Sequence, residues 1–175
     1  MGTEIERKFL IDSQEFMMAE VVDKGFAFHT QITQGYLSHG PTVRVRHVSL
    51  GPHIAQGFLT VKGPGNLVRG EWEYPIPETD APDMLALCKC VIRKARYTIK
   101  ITEPGLTHLK WEVDQFYDDG LTGLWLAEIE LTRPDETFPK PAWLGKEVTD
   151  DPRYSNASLA RHKVIPSDDP QDPRG

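Results

Sequence analysis

The sequence predicts a mainly β protein with a few short helices, in which antiparallel strands form a barrel or a sandwich. About eight segments alternate apolar and polar residues, as strands do when their two faces meet different surroundings. Most of these segments are joined by hairpin-length turns rich in Gly and Pro. No repeat or linker divides the 175 residues. We therefore predict one domain over residues 1–165, followed by a tail over 166–175 that lacks core-forming residues and is expected to be disordered.

The elements follow one another at regular spacing. A strongly alternating strand over residues 3–11 precedes a short helix over 13–20, for which Ser13 is the expected N-cap. The other expected strands cover 28–38, 42–50, 55–63, 68–76, 91–102, 106–116 and 122–131. Helices are expected from Thr79 or Asp80 to about Lys89, and again near 156–162.

Composition and charge narrow the function classes. Hydrophobic residues make up 39% and charged residues 26%, which is typical of globular proteins. No apolar run reaches the roughly 18 residues of a membrane helix, and the N-terminus does not resemble a signal peptide, so we predict a cytoplasmic protein without membrane contact. The net charge of −6 disfavours nucleic acid as a partner, because each basic group lies near acids. Cys88 and Cys90, expected at a helix end, are interpreted as partly buried thiols.

Seven strands place charged side chains on one face and apolar side chains on the other. A half-buried sheet with its charges in water gives the same pattern in any single strand. Here, however, acids and bases segregate by strand, and few uncharged polar residues share the charged faces. If the sheet closes into a barrel, strand parity sends these charges either all inward or all outward. An inward-facing set would form a polar tunnel, in which the charges need partners or ligands. The shared faces carry Glu4, Glu6 and Lys8; Arg44 and Arg46; Thr60 and Lys62; Arg69, Glu71 and Glu73; Lys94 and Arg96; Glu112 and Asp114; Glu128 and Glu130.

A wall that carries both signs of charge suits a metal–polyphosphate ligand. Arg and Lys bind phosphate oxygens, and carboxylates bind a hard cation such as Mg²⁺. The sequence has no P-loop signature, so the inner wall of the barrel would have to hold the phosphates.

These motifs resemble the CYTH, or triphosphate tunnel metalloenzyme, superfamily. Glu4-Ile5-Glu6-Arg7-Lys8 matches its E-x-E-x-K signature, and the paired charges on the other strands follow in the family's order. The stretch from Tyr154 to Ala160 is similar to the family's C-terminal helix, so the resemblance extends to about residue 162. It implies a closed eight-stranded antiparallel barrel that holds a linear triphosphate.

The resemblance also implies residue roles. The expected phosphate contacts are Lys8, Arg44, Arg46, Lys62, Lys94 and Arg96. One Mg²⁺ or Mn²⁺ would be held by Glu4, Glu6 and Glu130. A second metal or the attacking water would be positioned by the carboxylates of Glu71, Glu73, Asp114 and Glu128.

Three activities recur in the superfamily: hydrolysis of inorganic triphosphate, hydrolysis of thiamine triphosphate, and class IV adenylyl cyclisation. The latter two branches tend to read D-x-Y-Y/F-D in the second strand, whereas this chain reads QGYLS at 34–38 and resembles compact bacterial inorganic triphosphatases. We therefore predict a metal-dependent tripolyphosphatase. Its rivals are the other two activities, hydrolysis of a nucleoside triphosphate, a binding module for polyphosphate or nucleotide, and a sandwich scaffold with solvated charges.

Three smaller questions remain open in the sequence. Tyr36 either lines the tunnel or belongs to the core. Arg69 could reach the tunnel mouth, but because it lies beside a turn we interpret it as a solvated side chain. The apolar outer faces need cover from helices or from a second subunit, so a homodimer is one expected assembly.

Overall fold

The computed structural model of the chain describes residues 2–14, 17–19, 29–51, 53–65 and 68–167. Its strands are β1 (Gly2–Ile11), β2 (His29–His39), β3 (Thr42–Ser49), β4 (Ala55–Lys62), β5 (Val68–Ile76), β6 (Cys90–Lys100), β7 (Lys110–Phe116), β8 (Trp125–Glu130) and β9 (Leu144–Glu147). Helix α1 covers Asp80–Ala86, helix α2 covers Asn156–His162, and a 3₁₀ turn covers Pro152–Tyr154. None of the helices found in these ranges is long and apolar enough to cross a membrane.

The sheet closes on itself. Its strands run in the order β5-β4-β3-β2-β6-β7-β8-β1, each antiparallel to its neighbours. Strand β1 joins the two ends, because it pairs with β8 over Glu6–Leu10 and with β5 over Gly2–Ile5. The closed eight-stranded antiparallel barrel is therefore confirmed, and the sandwich alternative is wrong.

Most expected strand boundaries differ from the observed ones by no more than two residues, and the exceptions have local causes. Strand β7 begins at Lys110 rather than 106, because residues 103–109 form consecutive turns closed by the N–H groups of Leu106 and Leu109. Strand β8 begins at Trp125 rather than 122, after a turn at Leu121. The short strand β9, which pairs with the end of β1, was not predicted.

Helix α1 is shorter than expected. It ends at Ala86, so the cysteines do not lie at a helix end: Cys88 follows the helix, and Cys90 begins β6. Both thiols are free and partly buried, as the sequence indicated. Of the predicted helix over 13–20, residues 17–19 are helical and residues 15, 16 and 20 lie outside the described residues. The predicted tail over 166–175 also lies outside them, apart from residues 166 and 167.

The main core covers the outer faces of β1, β6, β7 and β8. Trp111 lies at its centre, with ring centroids 5.8 Å from Phe9 and 5.6 Å from Trp143, both in edge-to-face geometry. Burying an aromatic side chain of this size contributes about 2–3 kcal/mol. Trp125 is also buried and belongs to the same core.

A second core fills one end of the barrel interior. Ile92, Phe116 and Leu126 continue the inward faces of β6, β7 and β8 beyond the charged positions, and α2 packs Leu159 against them. The Ser155 side chain caps α2 by accepting a hydrogen bond from Ser158 N at 3.1 Å. The first residues of α2 are thereby held beside the charged part of the interior.

Gly35 provides a direct test of how α1 packs on the sheet. A Cβ atom added there would lie 2.7 Å from Cys88 Sγ and 2.9 Å from Leu85 Cδ2. We expect Gly35→Ala to lower the free energy of unfolding by about 1–3 kcal/mol, because this overpacking must push the end of α1 outward. Urea denaturation measures it, with Leu37→Ala, at a position 40% exposed, as the control. Equal stability of Gly35→Ala and the wild type would contradict this packing.

Candidate active site in the barrel interior

The barrel encloses a charged cavity of about 630 Å³. Its wall contains all but two of the predicted site residues, the exceptions being Lys94 and Asp114. The predicted residues that line it are Glu4, Glu6, Lys8, Arg44, Arg46, Lys62, Glu71, Glu73, Arg96, Glu128 and Glu130.

Strand register explains why these side chains meet. Across β1 and β8, Glu6 stands opposite Glu130 and Lys8 opposite Glu128. Directly opposed residues point to the same face of a sheet, so alternation along each strand and register between strands send them into one interior. The resulting wall mixes carboxylates with ammonium and guanidinium groups.

One part of the wall is organised around Glu4. Lys62 Nζ lies 2.8 Å from Glu4 Oε1, and Arg69 Nε lies 2.6 Å from Glu4 Oε2. Burial alone would raise the pKa of Glu4, but attraction to Lys62 and Arg69 outweighs it and lowers the pKa to about 2. Arg69 lines the cavity and pairs with Glu4, so its interpretation as a solvated side chain was wrong.

A second group joins β3, β4 and β5. Glu73 forms an ion pair with Arg46 and accepts a hydrogen bond from Thr60 Oγ1 at 2.7 Å. Burial opposes ionisation of Glu73, but these two partners keep its pKa below the ordinary value. Lys62 Nζ also lies 3.1 Å from Glu71 Oε2, which links this group to Glu4.

Arg96 is the centre of a third group. It binds Asp114 with two N–H groups at 2.7 Å each, contacts Glu128 Oε2 at 2.9 Å, and pairs with Glu112. Lys8 Nζ lies 2.9 Å from Glu128 Oε1. Although burial raises the pKa of Glu128, Lys8 and Arg96 together hold it well below the ordinary value.

Lys94 and Asp114 share the inward face with this group, but they are buried beneath it next to Phe116 of the second core and do not line the cavity. Lys94 is 1% exposed and Asp114 0%. Lys94 Nζ lies 2.5 Å from Asp114 Oδ2 and 3.0 Å from Asn156 Oδ1. Burial lowers the pKa of Lys94 to about 8, against the opposing attraction of Asp114. Buried charges of this kind need each other, because an unpaired one costs several kcal/mol.

Sequence reasoning missed some of the lining residues. Glu112 was placed on the correct face but given no role, and Lys110, two residues earlier on the same face, was overlooked. Alternation could have found both. Asn156 lines the cavity from α2, where strand parity gives no signal. Tyr36, left undecided, lines the cavity and also belongs to the second core.

The acidic side of the cavity fits a hard cation by its chemistry. No cluster of three metal-ligating side chains is preformed among the described residues. Burial and the nearby Glu128 raise the pKa of Glu6, while burial and the nearby Glu4 and Glu112 raise that of Glu130. A cation would relieve this repulsion, and oxygen donors are what Mg²⁺ binds. Glu4, by contrast, is already engaged with Lys62 and Arg69.

Comparison with known proteins finds one family and several relatives. The family model described as the CYTH domain matches residues 2–162. A curated protein of Acetivibrio thermocellus named inorganic triphosphatase is 40% identical over 167 residues, covering 93% of this chain and 96% of its own. Another of that name, from Nitrosomonas europaea, is 35% identical and covers 90% of this chain and 97% of its own.

Solved structures share the fold. One described as the inorganic triphosphatase NE1496 superposes with a TM-score of 0.57 at 30% identity, covering 95% of this chain and 99% of its own. A putative adenylyl cyclase of Hippeastrum, whose structure is described as revealing a dominant triphosphatase activity, superposes with a TM-score of 0.51 at 16% identity. It covers 75% of this chain and 81% of its own, and shows the fold alone.

The raised pKa of Glu6 predicts that its charge destabilises the ligand-free protein. When a carboxyl group has a higher pKa in the folded protein than in the unfolded chain, the free energy of unfolding falls as pH rises above the pKa of the unfolded chain. We expect Glu6→Gln to raise Tm at pH 7 in the presence of a chelator, and the gain to vanish below about pH 4.5. Exposed Glu103→Gln is the control, and calorimetry is the measurement. A lower Tm for Glu6→Gln at pH 7 would contradict the prediction.

Proposed function

Because the chain belongs to the CYTH domain family, we propose that it hydrolyses inorganic triphosphate to pyrophosphate and phosphate inside the barrel. The observation that carries the proposal is the cavity inside the barrel, in which basic side chains from six strands face carboxylates. The names of the two curated relatives support the same reaction.

The cavity lining favours an inorganic substrate over a nucleotide or thiamine triphosphate. Among the described residues that line it, Tyr36 is the only aromatic one, and the others are mostly charged or polar. A nucleobase or a thiamine ring needs apolar or aromatic surface for stacking, and this wall offers little of it. A short chain of phosphates, by contrast, presents only charged oxygens.

The basic side chains would hold the phosphates. Lys8, Arg44, Arg46, Lys62 and Arg96 line the cavity, and each pairs with a carboxylate that phosphate oxygens can replace. Lys94 would act indirectly, because it is buried beside Arg96 and helps to fix Asp114, the carboxylate that accepts two hydrogen bonds from Arg96. Positive charge gathered in this way stabilises the transferred phosphoryl group in the transition state.

The carboxylates would serve the metal and the water. Glu4, Glu6 and Glu130 are the proposed ligands of Mg²⁺ or Mn²⁺, which when bound would neutralise substrate charge and activate water. Glu71, Glu73, Asp114 and Glu128 would position the attacking water or support a second metal. No covalent nucleophile is required, because water attacks the phosphoryl group directly.

Two further proposals concern the assembly of the protein and its location in the cell. A homodimer remains our expectation for the assembly, since Tyr74 and Val68 on the outer face of β5 are 57% and 44% exposed. A cytoplasmic location remains our expectation from the sequence.

We expect the protein to release phosphate from tripolyphosphate much faster than from thiamine triphosphate or ATP, with Mg²⁺ or Mn²⁺ present. Side-by-side phosphate and pyrophosphate assays measure this, with excess chelator as the control that should abolish turnover. Cyclic AMP formation from ATP would favour the cyclase alternative. Binding of tripolyphosphate without turnover would favour the binding module.

We expect Arg46→Ala and Lys8→Ala each to lower kcat/KM for tripolyphosphate by about 10- to 100-fold, the worth of one charged hydrogen bond. Arg133→Ala is the control, because Arg133 is 69% exposed and pairs only with exposed Asp135 among the described residues. Near-normal activity of both cavity variants would refute phosphate binding by this wall.

A further inference from the structure

Glu4 is held by two cations in the ligand-free protein. Lys62 Nζ donates to both carboxylate oxygens of Glu4, at 2.8 Å to Oε1 and 3.0 Å to Oε2. Arg69 Nε donates to Oε2 at 2.6 Å. The side chain of Glu4 is 11% exposed, so these two cations, and not water, are its main partners. Both oxygens are therefore occupied before a ligand enters the cavity.

The other two proposed metal ligands are less engaged. Glu6 has a cation near it, because Lys8 Nζ lies 3.4 Å from Glu6 Oε1. Glu130 lines the cavity and forms no ion pair within the part of the chain that the structure describes. No group of three metal-ligating side chains is preformed in that part either. Of the three proposed ligands, Glu4 is therefore the carboxylate whose oxygens are most fully taken up by cations.

Lys62 and Arg69 are held at Glu4 in different ways. Register places Arg69 directly opposite Glu4 across β1 and β5, and among the described residues Arg69 forms an ion pair with no other carboxylate. Lys62 reaches Glu4 from β4, which is not a neighbour of β1 in the sheet, and its ammonium group also lies 3.1 Å from Glu71 Oε2. A lysine ammonium group on its flexible stem can move between acceptors. Lys62 is thus the cation that can leave Glu4 for a ligand.

We infer that Lys62 occupies the metal site in the ligand-free protein and that a triphosphate makes this site available by binding Lys62. Phosphate oxygens draw the ammonium group away from Glu4, while Arg69 keeps its hydrogen bond to Oε2 and fixes the carboxylate. Glu4 Oε1 is then available to a divalent cation. The inference rests on the proposed function for its substrate class. It predicts that Lys62 couples substrate binding to metal binding, in addition to the affinity of metal for phosphate itself.

This exchange keeps Glu4 paired at every stage. Before substrate enters, Lys62 and Arg69 neutralise the carboxylate; afterwards Glu4 exchanges Lys62 for a divalent cation, and Lys62 exchanges Glu4 for phosphate. A buried carboxylate without a partner is costly. The exchange avoids that state, and it disfavours metal binding in a cavity that holds no triphosphate.

The first experiment measures the Mn²⁺ affinity of the protein without triphosphate, by calorimetry. Lys62→Met keeps most of the side-chain length but removes its charge. We expect it to raise Mn²⁺ affinity by about 10- to 100-fold, because Glu4 Oε1 loses its competing cation. Adding Glu4→Gln to Lys62→Met should remove this gain.

Lys110→Met is the matched control, since Lys110 lines the same cavity but pairs with Glu112 and not with Glu4. We expect its Mn²⁺ affinity to stay within about threefold of the wild type, because Lys110 is 49% exposed and water screens its charge. The inference is overturned by an unchanged affinity in Lys62→Met, by an equal gain in Lys110→Met, or by a gain that survives Glu4→Gln.

The second experiment measures tripolyphosphate affinity in excess chelator, which follows the same exchange from the side of the substrate. Glu4→Gln weakens the hold on Lys62, so we expect this variant to bind tripolyphosphate about tenfold more tightly than the wild type does. Glu130→Gln removes the same charge from the same cavity without releasing a paired cation, so its gain should be clearly smaller. Equal affinities of these two variants would overturn the inference, and this comparison decides the matter even if Lys62→Met does not fold.

The two proposals can fail separately. If the wild type binds tripolyphosphate without hydrolysing it, the proposed reaction fails, while the Mn²⁺ titrations contain no substrate and still test the role of Lys62. If the wild type is active and Lys62→Met binds Mn²⁺ no better than the wild type, only the inference about Lys62 fails.

Discussion

The structure depends on pairing charges inside a closed sheet. Seven of the eight barrel strands bring ionic side chains out of water into the interior. This is tolerable only because charges are paired there, as every carboxylate of the Arg96 group lies against a cation. The same pairing fixes the side chains of the cavity before a ligand binds. Lys62 and Arg69, for example, are both held by Glu4. A triphosphate entering the cavity would replace some of these ion pairs with contacts to phosphate. Its binding free energy is therefore the difference between the contacts in the bound protein and those in the ligand-free protein.

Most of the site was predicted from the alternation of side chains along the strands. A period of two places Glu4, Glu6 and Lys8 on one face, and the same rule gathers residues from six other strands. Parity reports the face of a sheet but not the depth along the barrel, so Lys94 was expected in the cavity although it is buried beyond it, against the second core. Asn156 could not be found from the sequence in this way, because its position depends on how α2 docks. Closure itself depends on pairing between distant strands, which the resemblance implied and alternation alone left open.

The two halves of the barrel are supported differently. Behind β1, β6, β7 and β8 lies the aromatic core around Trp111, so the carboxylates of Asp114 and Glu128 stand on a densely packed support. Behind β5, Tyr74 remains exposed. Behind β2 and β3 the cover is helix α1, which packs closely at Gly35 and leaves Val45 fully buried. Two buried atoms, Gln34 Oε1 and Arg46 Nε, have no hydrogen-bond partner among the described residues. They therefore lie on the part of the wall that a single short helix supports, and not on the part that stands on the aromatic core.

The way β1 closes the barrel sets the order in which the protein can assemble. Residues 6–10 pair with residues 126–130, so the first strand can complete its pairing only after the last barrel strand is available. Contacts this distant in the chain carry a large loop-closure cost and are typical of slow folding. On the ribosome, the E-x-E-x-K segment would emerge before the other barrel strands. Glu4 could meet Lys62 and Arg69 once β5 had emerged, whereas Lys8 would wait for Glu128 on β8. Until then the nascent chain would present an open sheet edge, which makes this interval the one in which a chaperone or a misfolding partner could bind.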